Sequence, residues 1–178
     1  ASVDHIDGYL EGLVSAEYLQ QNPNGGFFGY NYVPHADEKL LDALAAETKK
    51  QGVWVVPTQS LFTRWFSPID AVALANESEM QYMPSKTLYQ WRQNKQNLTA
   101  NGYSEVLWQR FILLRQKTLR TLHGAGVDLL LGSDAPQVFN VPGFSLRHEM
   151  KSLFEAGLSP HVILQSGTAN PARFFGQS

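Results

Sequence analysis

The run Val127–Pro136 constrains the fold more than any other part of this sequence. It reads VDLLLGSDAP, a nearly continuous apolar segment that ends abruptly in Gly-Ser-Asp. Apolar runs of this kind are typical of parallel strands that are covered on both faces. Gly132 permits a tight exit from the strand, and Pro136 prevents it from continuing. We therefore expect Asp134 at the carboxyl end of a buried strand, where α/β proteins bind ligands; the alternative is that Asp134 caps the next helix or turn.

The size and composition of the chain favour one globular domain. Its 178 residues are 43% hydrophobic and 17% charged, and the formal net charge is −2. This balance argues against a nucleic-acid surface or a membrane partner, since no basic patch and no apolar run of ~20 residues is present. The lack of cysteine excludes disulfides, thiolate zinc sites and a cysteine nucleophile. It is typical of a cytoplasmic protein and is also compatible with the periplasm.

Two further segments are expected to form strands. They are Ser2–Ile6 and Val53–Thr58, the second of which is rich in β-branched and aromatic residues. Apolar residues at helical spacing predict helices over Asp37–Lys50, Tyr103–Leu122 and Phe144–Ala156. Because glycine ends the helix before each of the later strands, the order of elements indicates a βα repeat.

Residues 67–101 interrupt this repeat. They contain Met80, Met83, Tyr89 and Trp91 among many polar residues. We interpret the stretch as a mostly helical insertion that follows the second strand and serves as a lid over a substrate, because loops at this end of strands carry specificity. The alternative is a surface excursion without a functional role.

His5 and Asp134 are the candidate site residues. Each ends a predicted strand, and an imidazole and a carboxylate that converge there can serve a divalent metal ion or an acid–base step. A catalytic zinc ion requires three protein ligands, so this pair alone is too small a set. His148 is the strongest further candidate because its helix starts near the same end of the strands. The remaining histidines fall in a loop or at helix ends: His35, His123 and His161.

Four motifs point to one known family. EAGLSP occupies residues 155–160, GTANPAR residues 167–173, LGSD residues 131–134 and SVDH residues 2–5. Together they resemble the metal-dependent amidohydrolase superfamily, in particular its imidazolonepropionase-like and prolidase-like members. The resemblance runs in order along nearly the whole chain.

The resemblance implies an α/β fold class, a partial TIM-type (β/α)8 barrel that comprises approximately strands six to eight with their helices. Residues 1–178 would form one partial barrel domain that carries the insertion at 67–101. The family's His-x-His pair, carboxylated lysine and strand-five histidine have no counterpart here, and a complete barrel needs ~250 residues. We therefore expect part of a larger enzyme, inactive alone, that forms homo-oligomers or pairs with the remainder of its barrel through open sheet edges.

The same resemblance implies a reaction and a cofactor. His5 and Asp134 would bind a divalent metal ion, zinc in the complete enzyme, and Asp134 would be the catalytic proton shuttle. Thr58 and Gln59 would be substrate-binding residues. The expected function is hydrolysis of a C–N bond in a small-molecule amide, cyclic amide or dipeptide. The alternatives are a non-catalytic module that binds a small molecule or a partner, and a phosphotriesterase-like or lactonase-like hydrolase.

Overall fold

Helices predominate in the computed structural model, which describes residues 1–100 and 102–177. In chain order the α-helices are α1 (Ala16–Gln21), α2 (Leu41–Lys50), α3 (Gln59–Arg64), α4 (Ala71–Ala75), α5 (Ser85–Ala100), α6 (Glu105–Gly124), α7 (Phe144–Glu155), α8 (Pro160–Gly167) and α9 (Ala169–Phe174). Short 3₁₀ helices occur at Glu11–Leu13, Phe27–His35, Glu38–Leu40 and Ser78–Tyr82. The strands are β1 (Ser2–Asp4) and β2 (Trp54–Val56).

Helices α1, α4, α6 and α8 begin where a local side chain satisfies a free N–H group. Ser104 accepts a hydrogen bond from the N–H of Leu107 at the start of α6, and Ser159 caps α8 with Pro160 at its first position. Helices are thus present in each of the three ranges predicted from apolar spacing. The first is shorter than predicted, because the chain forms a 3₁₀ turn before α2 begins.

The strands lie at the centre of the largest apolar cluster. β1 and β2 pair in parallel with Val3 opposite Val55, and Val55 forms a single parallel bridge to Leu129 on its other side. Helices α2, α6, α7 and α8 and the segments that flank the strands supply the apolar side chains that pack around Val55. The buried members of this cluster are Ile6, Tyr9, Ala45, Val55, Leu119, Leu122, Val127, Leu129, Leu153, Ala156, Leu158 and Ile163.

The predicted fold class is wrong. Over residues 1–100 and 102–177 the structure is 62% helical with two short parallel strands, and no (β/α)8 segment with strands six to eight is recognisable there. Residues 127–131 do not form a strand, because the side of this segment away from β2 bonds to helices. Ser166 accepts from the N–H of Leu131, and the Asn170 side chain donates to the carbonyl of Leu129. These contacts occupy the groups through which a further strand would pair.

Residues 67–100 hold α4, a 3₁₀ turn and α5, while Asn101, the last residue of the predicted insertion, lies outside the described residues. Leu74, Met80 and Trp91 from this stretch pack against Phe139, which belongs to the segment that follows Asp134. The stretch therefore covers the loop that carries the candidate carboxylate. Across residues 1–100 and 102–177, none of the helices combines the length and apolar character that crossing a membrane requires.

Candidate functional site

His5 and Asp134 lie next to each other, although 128 residues separate them in the chain. His5 follows β1, and Asp134 follows the segment that bridges to β2, so parallel alignment brings both to one end of the strands. Nε2 of His5 is 3.9 Å from Oδ2 of Asp134. The two side chains retain 25% and 38% of their exposure, so a ligand can reach both from solvent.

Thr58, which follows β2, completes this arrangement. Its hydroxyl oxygen forms a 2.8 Å hydrogen bond with Nδ1 of His5. Thr58 is buried and therefore positioned by its surroundings. Since the other ring nitrogen of a metal-binding histidine usually bonds to a neighbouring group, this contact leaves Nε2 as the nitrogen available to a ligand.

The backbone at all three residues is left-handed. The φ angles are +62° at His5, +48° at Thr58 and +55° at Asp134. Histidine and aspartate tolerate this region better than most residues, but it is a genuine outlier for β-branched threonine. Strained residues of this kind cluster at functional sites, where the surrounding structure holds them. Their coincidence at the ends of β1, β2 and the bridged segment 127–131 therefore marks this location.

The loop that carries Asp134 is fixed by buried polar contacts. The Asn140 side chain donates to the carbonyl of Ser133 at 2.9 Å, and the Ser133 hydroxyl bonds to the hydroxyl of Ser145 at 2.8 Å. Ser145 lies in the first turn of α7. Asp134 thus extends from a restrained backbone while its carboxylate remains partly exposed.

Phe28 provides the apolar side of the site. Its ring lies edge-on to the His5 imidazole with 5.3 Å between centroids, and it packs against Phe62 at 5.2 Å. The backbone of Phe28 is left-handed as well, with φ of +49°. The 3₁₀ helix Phe27–His35 therefore contacts the candidate histidine through Phe28.

Gln59 is placed differently from Thr58. It is buried, its Oε1 accepts from Nε of Arg115 at 2.8 Å, and its backbone N–H donates to Glu149 at 2.9 Å. Its Nε2 has no hydrogen-bond partner within the described part of the chain. The predicted role of Gln59 toward a substrate stays a prediction.

Arg115 and Glu149 are buried charges that sequence reasoning missed. Burial raises the pKa of Glu149 to about 7, although hydrogen bonds from Ser60 and Gln59 and the charge of Arg115 oppose the shift. Burial also lowers the pKa of Arg115 to about 9, which leaves the guanidinium protonated at neutral pH. Both charges lie behind the end of β2. The place of Arg115 on the mostly apolar face of α6 was a signal available in the sequence, whereas Glu149 lies on a polar face of α7 and had none.

A second polar cluster joins α7 to the segment before α5. It contains Glu77, Glu79 and His148, whose potential ligand atoms lie within 4.8 Å of one another. Arg64 already contacts both carboxylates, Glu77 directly and Glu79 at 3.5 Å. Burial disfavours ionisation of Glu79, but the hydrogen bond and charge of His148 and the charge of Arg64 outweigh it, so its pKa is lowered. The cluster is therefore a neutralised ion-pair network, and His148 belongs to it rather than to the His5 pair.

An open cleft of about 350 Å³ lies at the opposite end of residues 127–129. Its lining includes Asp128 and Arg173, which form an ion pair at 2.5 Å. The chemistry-bearing side chains at the other end of this segment do not line it. We give the His5 pair priority over this cleft because the pair combines partly exposed metal-ligand side chains with left-handed backbone.

The donor types of the pair fit a zinc ion, while their number does not complete a site. Imidazole nitrogen and carboxylate oxygen are both zinc ligands, and a catalytic zinc requires three protein ligands. Within residues 1–100 and 102–177, the group of three or more metal-ligand side chains is the Glu77 cluster, which excludes His5 and Asp134. The remaining ligands of a metal ion at His5 and Asp134 would have to come from water, substrate or another polypeptide.

Comparison of the chain with protein-family models, with curated proteins and with solved structures found no match.

Proposed function

We propose that this chain supplies part of the active site of a metal-dependent hydrolase that cleaves C–N bonds in amides, cyclic amides or dipeptides. His5 and Asp134 bind the metal ion, for which zinc is the best fit, and Asp134 also transfers protons. The observation that carries the proposal is the 3.9 Å separation of Nε2 of His5, which follows β1, and Oδ2 of Asp134, which follows the segment bridged to β2. The resemblance of residues 131–134 and 155–173 to amidohydrolase motifs supports the same reaction class.

The side chains that surround this pair suit the proposed reaction. Zinc supplies Lewis acidity toward a substrate carbonyl group. Asp134 is exposed enough to accept a proton from an attacking water molecule as the oxygen–carbon bond forms. The same carboxyl group then gives that proton to the leaving nitrogen as the C–N bond breaks. Thr58 keeps the imidazole oriented, and the Phe28 ring offers an apolar surface to the substrate.

The number of ligand atoms favours a second candidate function, a module that binds a cation or small molecule without catalysis. Two protein ligands hold a metal ion weakly and leave its position poorly defined. We therefore expect the isolated chain to bind zinc more weakly than micromolar and to hydrolyse nothing. The hydrolase proposal concerns the assembled site, to which this chain would contribute His5 and Asp134.

Competition for zinc against a chromogenic chelator tests the proposed ligands. Asp134→Asn retains a residue that tolerates left-handed backbone and removes only the charge. We expect zinc affinity to fall about tenfold or more in His5→Ala and in Asp134→Asn, a difference of about 1.4 kcal/mol. Asp128→Asn is the matched control, because Asp128 lies at the other end of the same segment and pairs with Arg173.

Equal zinc affinity in the wild type, His5→Ala and Asp134→Asn proteins would refute the metal-ligand assignment. Hydrolysis of chromogenic amides, a cyclic amide and a dipeptide should be measured on the same samples with zinc present. Micromolar or tighter affinity together with turnover by the isolated chain would show that the two-ligand description is wrong.

A further inference from the structure

Two charged side chains are almost completely enclosed behind the candidate site. The exposed fractions of Arg115 and Glu149 are 1% and 0%. A buried charge is costly unless hydrogen bonds and an opposite charge compensate it. The two residues do not bond to each other directly but flank Gln59, which bonds to both.

Glu149 holds the start of α3. Its two carboxylate oxygens accept the backbone N–H groups of Gln59 at 2.9 Å and Ser60 at 2.7 Å. These are the first residues of α3, whose N–H groups have no partner inside the helix. Since Thr58 immediately precedes them with a left-handed backbone, the carboxylate fixes the chain directly after the strained residue.

Arg115 connects the ends of β1 and β2. Its Nη2 donates to the carbonyl of His5 at 2.8 Å and to the carbonyl of Pro57 at 3.3 Å. The guanidinium also stacks on the Phe62 ring, 3.5 Å from the centroid. One side chain on α6 thus holds the backbone of His5 and the residue before Thr58 at a fixed separation.

The His5–Thr58 hydrogen bond depends on both restraints. Each residue adopts a backbone conformation that costs of order 1–3 kcal/mol and persists only when its surroundings impose it. Arg115 acts on the His5 side, and Glu149 acts on the Thr58 side. If either backbone relaxed, the 2.8 Å contact that orients the imidazole would be lost.

We propose that Arg115 and Glu149 are positioning residues for His5, which hold the Thr58 hydroxyl within hydrogen-bond distance of Nδ1 and so fix the imidazole with Nε2 toward Asp134. The use of Nε2 for metal binding rests on the function proposed above. The orientation of the ring does not, because it is a property of the metal-free protein.

Long-range ¹H–¹⁵N spectra of the histidine rings, recorded without metal, test this proposal. Wild-type His5 should show a single tautomer, fixed by its contact with Thr58. Glu149→Gln and Arg115→Lys should convert His5 to a mixture of the two tautomers while the other histidines keep their signals. Glu155→Gln is the matched control, since Glu155 is exposed on the same helix and is expected to leave His5 unchanged.

Leu74→Ala separates positioning from loss of stability. Leu74 is buried in the cluster around Phe139, away from Arg115 and Glu149, and its truncation should destabilise the fold without changing the His5 tautomer. An unchanged His5 tautomer in both Glu149→Gln and Arg115→Lys, read at temperatures where each is folded, would overturn the proposal. If one variant fails to fold, the other decides the outcome in the same way.

Zinc added to the same samples distinguishes the two proposals. Substituting a residue that orients a metal ligand typically weakens metal binding by about tenfold or more. A wild-type protein whose His5 has a single fixed tautomer but does not respond to zinc would refute the proposed metal site and leave the positioning role intact. A zinc response at His5 that is equal in wild type and variants with unchanged tautomers would refute the positioning role alone.

Discussion

The Thr58 hydroxyl lies 2.8 Å from Nδ1 of His5, and this contact orients the imidazole toward Asp134. It joins the ends of two strands that are paired in parallel, so it depends on the register of β1 and β2. A shift of one residue would turn His5 away from the site, since side chains alternate along a strand. The candidate site is therefore a direct consequence of strand register.

Thr58→Val should release the His5 ring with little loss of stability. The substitution keeps the shape of the buried side chain and removes the hydroxyl, so we expect the free energy of unfolding to fall by about 1 kcal/mol. His5 should then lose its fixed tautomer in histidine NMR spectra. Thr118→Val is a buried control whose hydroxyl bonds to its own helix. A fixed His5 tautomer in Thr58→Val would contradict the assigned role of the hydroxyl.

Glu149 should make stability depend on pH. Its pKa of about 7 in the fold exceeds its ordinary value of 4.5, so between these values the folded protein binds the proton more tightly than the unfolded chain. The resulting stabilisation is complete below about pH 4.5 and is lost as the pH rises through about 7, a difference of about 2–3 kcal/mol.

Urea denaturation at about pH 5 and about pH 8 measures this effect. The stability of wild type relative to Glu149→Gln should be greater at the lower pH. Glu155→Gln, altered on the exposed face of the same helix, should follow the wild type at both pH values. A difference between wild type and Glu149→Gln that grows as the pH rises would show that the buried carboxyl group has a lowered pKa.

Lys95 should be important for the stability of the stretch that covers Asp134. Its buried ammonium donates to the carbonyls of Arg64, Trp65 and Ser67 at 2.7–2.9 Å. Lys95→Met leaves these carbonyls without their donor, and we expect a loss of about 3 kcal/mol in unfolding free energy. Lys86→Met, at an exposed position of α5, should change stability by less than about 0.5 kcal/mol. Similar losses in the two variants would contradict the buried contact.

Phe28 should prefer glycine to alanine as its replacement. Both substitutions remove the ring beside His5, but glycine adopts the left-handed backbone without the penalty of about 1–2 kcal/mol that alanine incurs. Phe28→Gly should therefore unfold at a higher temperature than Phe28→Ala. Phe27 is the neighbouring position and has ordinary helical backbone, so Phe27→Ala should unfold at a higher temperature than Phe27→Gly. The same order at both positions would argue against strain at Phe28.

The pairing of His5 with Asp134 was accessible from the sequence, because both follow segments with the apolar and β-branched character of strands. The partial barrel that the amidohydrolase resemblance implies is wrong. In the fold, Asp128 and Leu130 are only half-buried, and Leu131 bonds to α8 instead of to another strand. An apolar run does not reveal whether its second edge will meet a strand or a helix.

The buried charges were missed for a related reason. Apolar spacing in α7 predicts an inward face that carries Leu146, Met150 and Leu153. Leu153 is buried in the fold, but Leu146 is exposed. The face that is buried carries Ser145, Glu149 and Ser152. A polar stripe at helical spacing looks like a solvated surface in a sequence, because the backbone N–H groups that satisfy it come from α3, nearly ninety residues earlier.

The most direct test of the central claim is a zinc titration followed by ¹H–¹⁵N signals of the five histidine rings. The account predicts that Nε2 of His5 responds before any other ring nitrogen and that Asp134→Asn removes the response, whereas Asp128→Asn preserves it. A first response at His148, or a His5 response that survives in Asp134→Asn, would contradict the claim that these two side chains form one cation site.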